Sequence, residues 1–164
     1  MSVPSVHYQL PTPVGALTVT GHAQAVTSIT WALRPAGTPI AELPAPLRQA
    51  ALELTAYLEG DDVAFTPALY RANGSTFQIA VWQAVQAIPY GHTSSYGEIG
   101  AAIGKPKGAQ AVGQCVGANP LPIVVPCHRV VGADGSLTGF AYGLEKKRFL
   151  LELEQAKRYG KQGL

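Results

Sequence analysis

Nine consecutive residues, Ala109-Gln110-Ala111-Val112-Gly113-Gln114-Cys115-Val116-Gly117, constrain the fold of this 164-residue chain more than any other segment. They read as a helix, yet almost every side chain is small, and each of the two glycines costs about 1 kcal/mol relative to alanine in a helix interior. Small side chains let a helix backbone come close to whatever it faces. Just upstream, Ser94 or Ser95 can cap a helix over Tyr96–Ile103, which Gly104-Lys105-Pro106 stops. Helix, short Gly/Pro turn and small-residue helix make a helix-turn-helix pattern. A helix so poor in long polar side chains can read few base edges in a major groove, so its natural contact with DNA would be shallow and in the minor groove. Close packing against neighbouring helices explains the same segment equally well.

The rest of the chain divides at Arg71-Ala72-Asn73-Gly74, giving expected domains at 1–72 and 73–164. In the first, Val6–Leu10, Leu17–Thr20 and Val26–Trp31 are short β-rich runs separated by turns such as Pro13-Val14-Gly15. Ala45–Leu58 carries Leu47, Ala51, Leu54 and Leu58 at helical spacing and Gly60 ends it, while Phe65–Tyr70 is expected to add a short strand. In the second, Ser75 and Gln78 form a capping box for a helix over Phe77–Ala87, with Phe77, Val81, Trp82 and Val85 inward. Ile123-Val124-Val125 predicts a short buried strand. Leu144–Tyr159 predicts a last helix packed through Leu144, Phe149, Leu150 and Leu153.

Charge is low and uneven. Charged residues make up 13% of the chain and hydrophobic ones 47%, which excludes a disordered polyelectrolyte and leaves room for a proper core. Residues 1–73 hold three arginines against five carboxylates, a net of −2, and residues 74–164 hold nine Lys/Arg against five Asp/Glu, a net of +4. A polyanion partner fits the basic half, and so does a solvated basic face made by Lys146, Lys147, Arg148, Lys157 and Arg158 on the last helix. No apolar run reaches the roughly 18 residues of a membrane span, and Met1-Ser2-Val3-Pro4-Ser5 does not begin like a signal peptide, so a cytoplasmic location without membrane contact is expected. Two cysteines and four scattered histidines (His7, His22, His92, His128) show no metal-ligand spacing, so no metal and no disulfide is expected.

The chemistry concentrates in Pro126-Cys127-His128-Arg129-Val130-Val131. The thiolate is the reactive form of cysteine, and an adjacent imidazole lowers a thiol pKa, so Cys127 beside His128 is a candidate nucleophile. On these residues alone, a buried structural cysteine is the commoner outcome. Cys115 is read as such a structural thiol.

Taken in order, Phe77-Gln78 with Val81-Trp82, Ile88-Pro89-Tyr90-Gly91, Ser95-Tyr96, Ala111-Val112-Gly113, Asn119-Pro120, Pro126-Cys127-His128-Arg129-Val130 and Glu154 resemble the O6-alkylguanine-DNA alkyltransferases, the methylated-DNA–protein-cysteine methyltransferases, over about residues 74–156. The resemblance implies an α+β (mixed α/β) fold: a small N-terminal sheet-plus-helix scaffold, then a mostly helical domain with a helix-turn-helix and a buried active-site cysteine. It implies DNA repair by direct reversal, an irreversible single-turnover transfer of an alkyl group from O6 of guanine to Cys127, with O4 of thymine open as a second donor. His128 would act as base through a water, Glu154 would orient it, and Tyr96 would donate a proton towards N3 of the leaving base. Tyr96, Val130, Ala141, Phe140, Val116 and Asn119 would surround the base, with Asn119 as structural support.

The implied partner is double-stranded DNA, met in the minor groove by Gln110, Ala111, Gly113, Ser95 and Lys107, with the lesion flipped out of the stack. No cofactor is expected, and a monomer is. The chain departs from the family where Gln110 stands in place of the usual arginine that fills the gap left by the flipped base. Three rivals stand beside this reading: a lesion-binding relative without transfer, a Cys-His-Glu hydrolase that turns over, and a plain helix-turn-helix regulator that does not need Cys127.

Overall fold

The computed structural model describes residues 4–161 apart from Leu33 and Ala36, and no side chain beyond Ala156. Lys157 and Arg158, read above as solvated, therefore lie outside the described side chains, as do Met1, Ser2 and Val3. The chain forms two compact units, Met1–Ala72 and Asn73–Leu164.

In the first unit three strands, β1 (Val6–Leu10), β2 (Leu17–Gly21) and β3 (Val26–Thr30), form an antiparallel sheet in the order β1-β2-β3. Tyr8 pairs with Val19 and Val19 with Ile29, and all three are buried, so the register puts one apolar row on one face. That face is covered by α1 (Ala45–Leu58), whose Leu47, Ala50, Ala51, Leu54 and Tyr57 point inward. Phe65–Tyr70 departs from the expected strand. It is a 3-10 turn at Pro67–Leu69, joined to the sheet by the single bridge Val26–Tyr70. The cause is a buried carboxylate: Glu53 accepts from the Thr66 amide and hydroxyl and from the Tyr70 hydroxyl (2.8 Å), so this segment's donors serve a side chain instead of a strand ladder.

The second unit is mostly helical. In α2 (Thr76–Gln86) the capping box is complete, the Ser75 hydroxyl accepting from the Gln78 amide (3.1 Å) and the Gln78 side chain from the Ser75 amide (2.9 Å). Ser95 caps α3 (Tyr96–Ala102) by accepting from the Glu98 amide, and α4 (Ala109–Gly117) follows after a turn. That turn is tight: a Cβ on Gly100 would stand 2.6 Å from the Lys105 carbonyl oxygen, which is why a small residue is needed there. Val112, Cys115 and Val116 are the buried side of α4, and the Trp82 indole donates to the Cys115 carbonyl (2.8 Å), tying α2 to α4. A two-residue parallel pairing joins β4 (Ser94–Ser95) to β5 (Val130–Val131).

The final helix, α5 (Leu144–Lys161), turns a different face inward from the one its leucines suggest. Leu144 is exposed, whereas Lys147, Leu150 and Glu154 are buried, an i, i+3, i+7 stripe on one helix face. Lys147 is thus not part of a solvated basic face. No helix among the described residues is long and apolar enough to cross a membrane.

Candidate active site

Every residue from Leu121 to Val131 is buried, yet the expected strand at Ile123–Val125 is absent. The backbone turns there, with Ile123 at φ 75° and the Val125 amide donating to the Leu121 carbonyl (2.8 Å). A β-branched residue in the left-handed region is a genuine outlier that costs about 1–3 kcal/mol, so something must hold it. Asn119 does: its amide nitrogen donates to the Val125 carbonyl and its oxygen accepts from the Leu121 amide, both at 2.9 Å. One side chain thereby satisfies both backbone groups that a strand partner would have taken. Pro126 follows at φ −79°, ψ 65°, an inverse γ-turn closed by the Cys127 amide on the Val125 carbonyl (2.7 Å). A single 3-10 turn, Cys127–Arg129, then leads into β5.

The pairing of Ser94 with Val130 and Ser95 with Val131 sets the start of α3 beside this turn, which fixes where Tyr96 emerges. The Tyr96 hydroxyl donates to the Thr138 carbonyl (3.3 Å). Its ring lies over Gly113, where a Cβ would stand 3.7 Å away, an ordinary van der Waals contact.

His128 and Glu154, distant in sequence, meet in the interior: Nε2 lies 2.6 Å from the carboxylate, with neither side chain more than 1% exposed. An ionised carboxylate only accepts, so Nε2 carries the proton and Nδ1 is the basic nitrogen of the neutral ring. The same carboxylate accepts from Arg129 Nε (2.9 Å), Arg129 Nη2 (3.1 Å) and the Gly91 amide (3.0 Å). Arg129 also donates to the Ile88 carbonyl (2.7 Å) and lies over the Tyr90 ring. Burial by itself raises the Glu154 pKa, but the His128 hydrogen bond and the Arg129 charge outweigh it and bring it down to about 2. For His128 burial wins and lowers the pKa, so the ring is held neutral.

Cys127 runs against the expectation of a thiol made acidic by its neighbour. Burial pushes it up to about 11, and the opposing pull of Asn119, the Lys147 charge and nearby amides is too small to reverse that. The resting nucleophile is a thiol that must lose its proton during the reaction, which makes the neutral imidazole necessary.

The remaining candidates divide by position. Gln110 and Ala111 are exposed on α4, and Lys107 is exposed on the turn before it. Ser95 is partly covered, with its oxygen accepting from the Glu98 amide. Val116 is buried on the inner side of α4. Phe140 and Tyr142 meet edge to face at 5.7 Å on the loop before α5, with Ala141 exposed between them, while Val130 is fully buried. Two contributors escaped the sequence reading. Arg129 sits inside the Cys-His motif but received no role, and Lys147 was placed in solvent. The signal for Lys147 was Glu154 itself, since a residue seven positions earlier shares its helix face.

A family model for the DNA-binding domain of 6-O-methylguanine DNA methyltransferase matches residues 76–156. The methylated-DNA–protein-cysteine methyltransferase of Mycobacterium tuberculosis is 42% identical over 156 residues, 93% of this chain and 94% of the relative. The chain belongs to the methylated-DNA–protein-cysteine methyltransferase family. The Haemophilus influenzae member is 41% identical over 150 residues, covering 88% of this chain and 83% of its own. Among solved structures, the M. tuberculosis O6-methylguanine methyltransferase superposes with a TM-score of 0.81 at 40% identity over 94% of both chains. The M. tuberculosis protein has also been solved in complex with DNA, likewise at a TM-score of 0.81, over 92% of this chain and 93% of that one. A Pyrococcus kodakaraensis methyltransferase, at 23% identity and a TM-score of 0.61, shares the fold.

Proposed function

We propose that this methyltransferase repairs DNA by taking the alkyl group of O6-alkylguanine onto Cys127, once per molecule. The observation that carries the assignment is the buried His128–Glu154 bond at 2.6 Å in the turn that bears Cys127. In the reaction the Cys127 thiol gives its proton to His128, through a water, as its sulfur attacks the alkyl carbon. The S–C bond forms, the C–O6 bond breaks, and the electron pair remains on guanine. Glu154 stabilises the imidazolium that results, following nucleophile–base–orienter logic. Tyr96 gives a proton towards N3 of the departing base and is restored by the proton held on His128, so charge balances. The thioether is not cleaved, and no thiol returns.

The base must leave the duplex to reach a buried sulfur, at a cost of a few kcal/mol that is smaller for a damaged pair. Exposed Gln110 and Ala111, together with Lys107 and Ser95, support minor-groove contact by the helix-turn-helix, and Gln110 would fill the gap beside the orphaned cytosine. Val130 and the loop bearing Phe140, Ala141 and Tyr142 would hold the base edge and the alkyl group, and O4 of alkylated thymine is a second donor this pocket would meet. Residues 1–72 serve as scaffold and residues 73–164 as the alkyltransferase and DNA-binding domain, in a cytoplasmic monomer.

The test is intact-protein mass after incubation with duplex DNA carrying O6-methylguanine, with Cys127→Ser alongside. One added methyl per molecule, absent in the variant, is the expected result. Unchanged mass despite tight binding to the lesion would refute it and mark a lesion sensor, and repeated turnover would mark a hydrolase.

A further inference from the structure

The chain holds two asparagines, and the fold treats them in opposite ways. Asn119 is buried, both ends of its amide are hydrogen-bonded, and Pro120 follows it with no N–H. Asn73 is exposed, opens the second unit, and is followed by Gly74 in a stretch without regular secondary structure. Among the described residues, neither the Asn73 side chain nor the Gly74 amide takes a hydrogen-bond partner. The next amide is committed, since Ser75 N–H donates to Gln78 Oε1 (2.9 Å) in the capping box. Gly74 therefore presents a free backbone nitrogen beside an unrestrained side-chain amide, and asparagine is among the thermolabile residues.

Glycine at 74 is set by packing. A Cβ there would stand 2.7 Å from Trp82 Cη2 and Cζ3 and 2.8 Å from Gln78 Oε1, so a side chain would have to displace the indole or open the capping box. That indole holds the Cys115 carbonyl (2.8 Å) and ties α2 to α4. The same missing Cβ leaves the Gly74 nitrogen unshielded and its backbone free to swing towards the residue before it.

We propose that Asn73 is a site of spontaneous deamidation in the folded protein, the position at which this chain ages chemically. The Gly74 nitrogen gives its proton to hydroxide and bonds to Asn73 Cγ. The bond from Cγ to the side-chain nitrogen breaks, and that nitrogen leaves as ammonia after taking a proton from water, which restores the hydroxide. Water then opens the five-membered succinimide at either carbonyl, giving aspartate or isoaspartate. Each event replaces a neutral amide by a carboxylate ahead of the positive end of α2, which favours a negative charge.

Asp134-Gly135 supplies a control within the same unit. It is also exposed and can close the same ring, with water as the leaving group. There the Gly135 amide donates to the Gly132 carbonyl (2.8 Å), and the Asp134 carboxylate accepts from the Ser136 amide (3.0 Å). With nucleophile and electrophile both held, folding protects that pair.

The test incubates the full chain at pH 8, folded and in guanidinium chloride, alongside Asn73→Gln, whose longer side chain would have to close a six-membered ring. Intact mass counts amide-to-acid conversion, and the tryptic peptide that starts at Ala72 localises it and separates isoaspartate from aspartate by retention. We expect Asn73 to convert in folded protein at a rate within a few-fold of that in denaturant, rising about tenfold per pH unit as more of the attacking nitrogen ionises. Asn73→Gln should lose the conversion. Isoaspartate at 134 should form about tenfold more slowly folded than denatured, one net backbone hydrogen bond being of that size. A folded chain that keeps its mass while the denatured chain converts overturns the proposal. So does conversion at another residue, an equal mass gain in Asn73→Gln, or Asp134 isomerising as fast folded as denatured.

Discussion

Replacing Glu154 with glutamine changes one oxygen to an NH2 in a site with no room to adapt. The carboxylate takes four donors, from His128, twice from Arg129, and from the Gly91 amide. The remaining amide oxygen can keep Arg129 Nε and Gly91. The new NH2 then faces the other Arg129 nitrogen, donor against donor. It also faces His128 Nε2, which can accept only if the ring moves its proton to Nδ1. That tautomer presents an N–H where the thiol proton should go. Two separable losses follow. Leaving the Arg129 charge without its partner costs about 3–5 kcal/mol of stability. Disabling the base costs about 10²–10⁴ in transfer rate. Urea unfolding measures the first, and single-turnover transfer from O6-methylguanine duplex, under conditions where the variant is folded, measures the second. His128→Ala combined with Glu154→Gln should be scarcely slower than His128→Ala alone, because residues acting as one unit are non-additive. A folded Glu154→Gln protein with the parental rate, or losses that multiply in the double variant, would refute the base–orienter assignment.

Other consequences are equally direct. With the thiol at about 11, His128→Ala should transfer only through pre-formed thiolate, its rate rising about tenfold per pH unit above neutrality, whereas the parent should be nearly flat; parallel profiles would argue against the base. Stability should peak between the ordinary histidine and thiol values. Both His128 and Glu154 bind protons less readily folded than unfolded, so stability falls as pH drops below 6.5, and again from 4.5 towards 2. Cys127 holds its proton more tightly when folded, so its contribution is present below 9 and lost between 9 and about 11, and Cys127→Ser should shrink that alkaline loss in pH-dependent urea midpoints. Asn119→Ala orphans the Leu121 amide and leaves the Val125 carbonyl with the Cys127 amide alone, and should cost about 1–3 kcal/mol in urea unfolding for the one buried group left unpaired; no measurable cost would mean the turn holds itself. Gln110→Arg adds charge and reach at the exposed start of α4 and should speed repair of duplex but not of single-stranded substrate; equal or slower duplex repair would count against its gap-filling role.

Most of the elements were legible because their signals are local. Ser75 and Gln78 mark a helix start by side-chain geometry alone, and Leu47, Leu54 and their neighbours mark a period. Ile123-Val124-Val125 misled because an apolar run reports burial, not backbone conformation. These residues are buried as expected, yet the Val125 amide turns back to the Leu121 carbonyl and the Val125 carbonyl takes the Asn119 side chain, a partner that periodicity cannot reveal. Phe65–Tyr70 misled in the same way, with Glu53 taking the donors. A single polar side chain that satisfies backbone groups can stand in for a strand, and nothing in the run it serves announces it.

Lys147 exposes the converse weakness. Charge patterns assume solvent, and a lysine between Lys146 and Arg148 looks like one member of a basic surface. The helix face defined by Leu150 and Glu154 was the better guide, because an orienting carboxylate on α5 requires that stripe to point inward, carrying residue 147 with it. The buried face thus holds a carboxylate and an ammonium with different partners. Glu154 is matched by Arg129 and turns towards His128, while Lys147 is matched only by carbonyls. This separation matters for the chemistry. The two lie seven residues apart on α5, about two turns of helix, and in the proposed reaction the anion is left to stabilise the imidazolium formed on His128.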